Sequence, residues 1–171
     1  MPATIDARLA RLGIELPAVG KPVANFVPCV KVGRTLYVSG QITSWNGQIR
    51  YVGRVGAEIS LDDARAAARL CALNLLSQVR AYLGDLDRVT RVCQLQGFVN
   101  AVPGFTDHPA VLDGASDLLV EVFGEAVGRH ARFAVGAGSL PFNVAVELAG
   151  VLEAAEGEFE IQPRLAPIAR P

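Results

Sequence analysis

The last apolar segment of the chain, from His130 to Leu152, holds the pair of residues best suited to chemistry. Arg132 and Glu147 are its two charged residues past the opening histidine, and the positions between them are apolar, small or typical of turns. Burying a charge costs free energy, so a buried charge is usually paired or serves a function. A guanidinium captures a carboxylate through two parallel hydrogen bonds, and a nearby glutamate can orient or deprotonate a water. The pair therefore indicates either a small-carboxylate site or a structural ion pair that fixes strand register.

Two predicted strands must position these charges. They cover residues 131–137 and 143–152, and the intervening Gly138 to Pro141 suits a turn. If they form an antiparallel pair with an even loop, Arg132 and Glu147 can lie directly opposite each other. Each charge would then have small neighbours on its own face, which leaves room for a small molecule. By parity His130 shares the face of Arg132, so it either joins the cleft or simply begins the strand.

The rest of the chain predicts an α+β fold. Two strand-like runs flank the turn at residues 33–34, and a third short strand is expected at residues 48–52. Ser60 opens the clearest helix with a variant capping box, and Gly84 is placed to end it. A strand at 89–99 and a second helix at 109–123 precede the final two strands. The order β-β-β-α-β-α-β-β implies a mixed sheet with two helices on one face.

The other face of this sheet still needs cover. Several of the predicted strands carry apolar residues at both parities, so neither of their faces is polar throughout. Burial against another subunit is the simplest solution, and we therefore expect an oligomer.

The composition describes one globular domain and offers no sign of nucleic-acid binding. The chain has 171 residues, of which 51% are hydrophobic and 19% charged, so we expect a substantial core. The formal net charge is −1, from 16 basic and 17 acidic residues, and no basic block stands out. This balance argues against RNA or DNA as a partner.

Membrane insertion and metal binding are also not indicated. The apolar runs are interrupted before a membrane span is complete, and the amphipathic first residues do not form a signal peptide. Cys29, Cys71 and Cys93 are far apart and odd in number, which favours reduced thiols in a cytoplasmic protein. Because His108 and His130 are the only histidines, we expect no zinc site, and no cofactor is indicated.

Several motifs give this chain a recognisable pattern. They are Leu36-Tyr37-Val38-Ser39-Gly40-Gln41-Ile42, Asn74-Leu75 in an alanine- and leucine-rich helix, Phe123-Gly124-Glu125, and the ordered set Ala131-Arg132, Leu140-Pro141 and Val146-Glu147. With them the chain resembles the RidA/YjgF family, also labelled endoribonuclease L-PSP, over residues 24–153. We therefore expect an N-terminal extension at 1–23, a RidA-like domain at 24–153 and a C-terminal tail at 154–171.

The resemblance implies a chorismate-mutase-like fold and a homotrimer with three ligand clefts between subunits. It also implies hydrolysis of small reactive 2-imino acids to 2-oxo acids and ammonia. On this basis Arg132 would hold the substrate carboxylate and Glu147 would position the attacking water. Ser39 and the Gly40 backbone would line the cleft near the imine nitrogen.

One departure from the family pattern leaves other functions open. The family's glycine-proline-tyrosine-serine stretch corresponds here to Asn25-Phe26-Val27-Pro28. If Phe26 takes the place of the tyrosine in the substrate site, a hydroxyl is lost. A non-catalytic protein that binds small carboxylate metabolites is therefore the alternative. Ribonuclease activity, which the family label suggests, ranks lower because the chain lacks a basic surface stripe.

Overall fold

The computed structural model describes residues 4–20 and 24–157 of the chain. Within them a five-stranded mixed sheet carries two long helices on one face. Its strands are β1 (Cys29–Val32), β2 (Thr35–Ile42), β5 (Val89–Asn100), β6 (Ala131–Ala137) and β7 (Val146–Ala154), in the spatial order β1-β2-β7-β5-β6. β5 and β6 are parallel, whereas the other neighbouring pairs are antiparallel. The predicted α+β fold with a mixed sheet is thus confirmed.

The predicted third strand lies outside this sheet. β3 (Ser44–Trp45) and β4 (Gln48–Ile49) form a separate two-stranded hairpin. The strand is shorter than the predicted 48–52 segment, because Tyr51 takes a left-handed conformation with φ at 51° and ends the extended backbone.

The two long helices are α2 (Leu61–Leu83) and α3 (His108–Phe123), close to the predicted bounds. The Ser60 hydroxyl caps α2 by accepting the Asp63 N–H at 3.1 Å, and Gly84 ends the helix with φ at 80°. The helices cross closely at Gly114, where a Cβ would overlap the backbone carbonyl of Arg65. A fully buried set of apolar side chains joins helices and sheet; the largest are Leu36, Leu75, Leu76, Leu95, Leu112, Leu118, Leu119, Leu148 and Leu152.

The short helix α1 (Ile5–Leu12) belongs to the predicted N-terminal extension and packs on this core. Leu9 is buried, and the Ile5 N–H donates to Asp87 Oδ1 at 3.0 Å. At the other end, β7 continues to Ala154, and residues 158–171 of the predicted tail lie outside the described residues. A second short helix, α4 (Glu125–Gly128), links α3 to β6.

The predicted pairing of the last two strands is wrong. β5 lies between β6 and β7, because β7 is hydrogen-bonded to β2 on one side and to β5 on the other. β6 instead pairs in parallel with β5 after the α3–α4 crossover. Residues 138–145 are therefore not a hairpin turn but a connection that crosses the end of β5, where the Asn100 N–H donates to the Ala145 carbonyl at 2.9 Å.

The sheet face away from the helices is open in the single chain and exposes several large apolar side chains. Val30, Val32, Tyr37, Phe133 and Val135 are all exposed, in proportions from 39% to 65%. Large apolar side chains exposed in this number are typical of a face that another protein covers. In the part of the chain that the structure describes, no helix is both long and apolar enough to cross a membrane.

Candidate functional site

Glu147 lies on the open sheet face against a backbone irregularity in β2. The register between β2 and β7 shifts between Val38 and Gln41, and Gly40 lies in this bulge. A Cβ at residue 40 would overlap Glu147 Oε1, so only glycine lets the carboxylate rest against this backbone. Burial raises the pKa of Glu147, which favours a proton on this carboxyl compared with an exposed glutamate.

Ser39 and the segment that contains Phe26 adjoin the same bulge. The Ser39 Oγ is buried and has no hydrogen-bond partner among the described residues. The Ser39 N–H donates to the Pro28 carbonyl at 2.9 Å, which fixes the segment before β1 beside the bulge. Phe26, two residues earlier, is 43% exposed. The structure therefore brings Ser39, Gly40 and Glu147 together and places the chain segment of Phe26 next to them.

Arg132 occupies a different environment, on the helix side of β6. Its guanidinium donates to Asp113 Oδ1 at 2.8 Å, to Ser116 Oγ at 2.9 Å and to the Pro109 carbonyl at 3.2 Å. All three partners belong to α3. The side chain of Arg132 remains 26% exposed, so one part of the guanidinium still reaches solvent.

His130 joins this second cluster through Ser116. Its Nε2 lies 3.0 Å from Ser116 Oγ, and its Nδ1 lies 2.6 Å from the Gly128 carbonyl. Burial is the main cause that lowers the pKa of His130; the positive charge of Arg132 lowers it further, and the Gly128 carbonyl opposes the shift. His130 is thus predominantly neutral at neutral pH. The shared face that parity predicts for His130 and Arg132 agrees with this arrangement.

The two charges that the sequence pairs are therefore on opposite faces of the sheet in one chain. Arg132 aligns with Leu95, which is buried beneath the helices, whereas Glu147 aligns with Phe98, which packs edge-on against Phe133 on the open face. The register-fixing ion pair between Arg132 and Glu147 is thus absent from the described chain, and the ion-pair partner of Arg132 is Asp113.

Sequence reasoning missed Asp113 and Ser116. Both are polar residues of α3 and are three positions apart, so they share one helix face. This spacing could have marked them as a polar pair on α3. Their contact with Arg132 depends on the parallel pairing of β6 with β5, which the sequence did not indicate.

The described residues form two surface grooves. One, of about 580 Å³, is lined by α3, α4 and the start of β6, and includes Asp113, Ser116, His130 and Arg132. The other, of about 530 Å³, lies between α2 and the β3–β4 hairpin, with walls that include Trp45, Tyr51 and Arg69. Among the described residues, no group of three or more His, Cys, Asp or Glu side chains could hold a metal ion.

Comparison with known proteins places the fold and sequence in one family. The model of the family described as "YjgF/chorismate mutase-like, putative endoribonuclease" matches residues 6–153. Protein TCP17 of Trypanosoma cruzi is 50% identical over 149 residues, which are 87% of this chain and 93% of that protein.

Crystal structures extend this similarity. The protein Atu1372 from Agrobacterium tumefaciens is 47% identical, with a TM-score of 0.82, over 88% of this chain and 92% of that one. TdcF from E. coli with bound serine shares the fold, with a TM-score of 0.57 at 20% identity, over 82% of this chain and 94% of that one. The matched family model and these relatives establish that the chain belongs to the YjgF/RidA family.

Proposed function

We propose that this protein hydrolyses small, reactive 2-imino acids to 2-oxo acids and ammonia. The observation that carries the proposal is the contact of the Glu147 carboxylate with the Gly40 backbone, next in sequence to Ser39, whose Oγ has no hydrogen-bond partner among the described residues. These polar groups lie on a sheet face that also exposes large apolar side chains. Membership in the YjgF/RidA family supports a small-molecule site, and so does the serine bound by the similarly folded TdcF.

Glu147 positions the water in this scheme. The water attacks C2 of the imine, and the carboxylate accepts a proton from it as the new C–O bond forms. The raised pKa of Glu147 makes the carboxylate a better proton acceptor, and the protonated carboxyl then donates to the departing amine. Ser39 Oγ and the Gly40 backbone lie near the imine nitrogen, where they orient it.

Arg132 holds the substrate carboxylate. Without substrate, its guanidinium forms an ion pair with Asp113. Because Arg132 and Glu147 are on opposite faces within one chain, a cleft that uses both takes them from two subunits. The open face supports such an assembly, since Val30, Tyr37 and Phe133 would otherwise remain in water. The proposal therefore includes a homotrimer with a cleft between neighbouring subunits, and His130 stands beside Arg132 at its edge. We also propose a cytoplasmic location, where the free cysteines stay reduced.

The test is the release of pyruvate from 2-aminoacrylate, which a dehydratase generates in the assay. We expect the protein to accelerate release and Glu147→Gln to reduce the acceleration by about 10²-fold or more, the usual scale for general acid–base catalysis. Glu153→Gln is the matched control, because Glu153 lies on the same face of β7 and pairs with Arg34 instead. No acceleration by the unmodified protein contradicts the proposal for this substrate.

A second variant pair tests the carboxylate holder. Arg132→Ala should raise KM strongly, whereas Arg129→Ala should not, because the exposed Arg129 pairs with Glu125 on α4. Full activity in Arg132→Ala protein with an intact oligomer would remove Arg132 from the substrate site.

A binding protein without turnover is the second candidate. Two observations favour it: Phe26 carries no hydroxyl, and the charge of Arg132 is already neutralised by Asp113. Thermal shift with a panel of 2-oxo acids separates the candidates when it is run beside the activity assay. Stabilisation without turnover supports binding alone, and turnover supports hydrolysis. Ribonuclease activity ranks below both because the net charge is −1.

A further inference from the structure

Ser116, to which the proposed imine hydrolysis assigns no role, lies at the centre of a short hydrogen-bonded chain. Its Oγ is 3.0 Å from His130 Nε2, and His130 Nδ1 is 2.6 Å from the backbone carbonyl of Gly128. A carbonyl oxygen only accepts hydrogen bonds, so the proton of neutral His130 must be on Nδ1. The Nε2 lone pair then points at Ser116, which donates its hydroxyl proton to it.

This arrangement has the parts of an activated nucleophile. A serine becomes reactive when a neutral imidazole accepts its proton and a third group fixes the imidazole tautomer. Here a backbone carbonyl takes the place of the carboxylate that commonly orients the histidine. The Arg132 Nη1 donates to the same Ser116 Oγ at 2.9 Å, and its positive charge stabilises negative charge that develops there.

The position of Ser116 allows a substrate to approach. Ser116, His130 and Arg132 line the groove of about 580 Å³ between α3, α4 and β6, which is large enough for a small ligand. Val120 forms an apolar part of the same wall, one turn further along α3. Within one chain this groove and Glu147 are on opposite faces of the sheet, so Ser116 does not depend on Glu147 of its own subunit.

We propose that Ser116 is a nucleophile that hydrolyses short-chain acyl esters in the groove that also presents Arg132. The four carboxylates that line the groove are all in ion pairs with arginines. The charges around Ser116 are therefore balanced, and a neutral ester meets no net charge there.

The reaction proceeds in two balanced steps. Ser116 Oγ forms a bond to the ester carbonyl carbon while its proton moves to His130 Nε2, and the same proton then leaves with the alcohol as the ester C–O bond breaks. In the second step a water gives its proton to His130 Nε2, and its oxygen attacks the acyl-serine. The carboxylic acid departs, and the proton returns to Ser116 Oγ.

Labelling of the full chain with a fluorophosphonate probe tests this inference. The Ser116 oxygen displaces fluoride from phosphorus, and intact mass with peptide mapping locates the adduct. We expect one adduct on Ser116, its absence in Ser116→Ala, and at least a tenfold slower reaction in His130→Gln. Ser139→Ala is the matched control, since Ser139 is an exposed serine near the far end of β6, and it should label like the unmodified protein.

Ester hydrolysis gives the second readout. Release of p-nitrophenol from p-nitrophenyl acetate should be faster than in buffer alone and should depend on Ser116. Ser116→Cys guards against a variant that merely unfolds, because a folded thiol at this position should restore reaction with the acetate ester. No adduct on Ser116, or unchanged labelling in folded His130→Gln protein, would overturn the inference. Neither outcome bears on the role of Glu147, which Glu147→Gln tests separately in imine hydrolysis.

Discussion

Arg132 and Glu147 lie on opposite faces of the five-stranded sheet, with β5 between their strands. Arg132 is bound to Asp113 beneath the helices, and Glu147 rests against Gly40 on the open face. This relationship makes the single chain an incomplete site for a substrate that needs both residues. Because the two residues have different neighbours within one chain, substitutions near one can be tested without changing the surroundings of the other.

Gly40→Ala should disable the site while the fold survives. The new methyl group would overlap Glu147 Oε1, and the carboxylate, at the end of a flexible side chain, would move away. We expect imine hydrolysis to fall at least tenfold with a small change in melting temperature. Gly138→Ala is the matched control, because its Cβ meets no atom within 4 Å. Equal activity of the two variants would show that the Glu147–Gly40 contact does not serve catalysis.

Asp113→Asn should strengthen binding of the substrate carboxylate. The amide keeps the shape of Asp113 but removes the charge that competes for Arg132, whose ion pair with it is partly exposed. An exposed pair contributes up to about 1 kcal/mol, so KM should fall by about two- to fivefold with kcat unchanged. A KM that stays constant or rises would argue that Arg132 binds α3 only for structural reasons.

Glu147→Gln should stabilise the fold in a pH-dependent way. Burial raises the folded-state pKa of Glu147 above its unfolded value, so the folded protein binds this proton more tightly. Stability is therefore lost as the pH rises from the unfolded pKa through the folded one, and the loss is complete above both. The variant should melt at a higher temperature than the unmodified protein at neutral pH, and the difference should vanish at about pH 3, where glutamate is protonated in both states.

Glu153→Gln provides the comparison in the same melting series. Glu153 is more exposed and pairs with Arg34, so its substitution should not stabilise the protein at neutral pH. If the Glu147→Gln protein is no more stable than the Glu153→Gln protein at neutral pH, burial does not destabilise the charged form of Glu147, and the prediction is wrong.

Local sequence signals anticipated most of the elements but not the order of the last strands. The Ser60 cap and Gly84 bound α2 within the residues expected, since caps act through contacts a few positions apart. The neighbour of β6 is decided over a long range, by the α3–α4 crossover and by β2 occupying one edge of β7. A two-residue periodicity in Ala131–Ala137 predicts which residues share a face, yet it cannot tell which face meets the helices.

The difference between local and long-range contacts also explains which residues of the candidate site the sequence predicted. The motif that contains Ser39 and Gly40 lies on β2, and the motif that contains Glu147 lies on β7. These two strands are paired, so the three residues are close together. Asp113 and Ser116 were not identified because their contact with Arg132 depends on how α3 packs over β6, a tertiary relationship without a local signature.

Mixing two inactive variants tests the central claim, that one cleft takes Arg132 and Glu147 from different subunits. Arg132→Ala and Glu147→Gln proteins are each measured alone, then unfolded together in equal amounts, refolded as mixed oligomers and assayed for pyruvate release from 2-aminoacrylate. Random assembly leaves both residues intact in about a quarter of the clefts, so about a quarter of the unmodified activity should return. A mixed oligomer as inactive as its two parents would contradict the account.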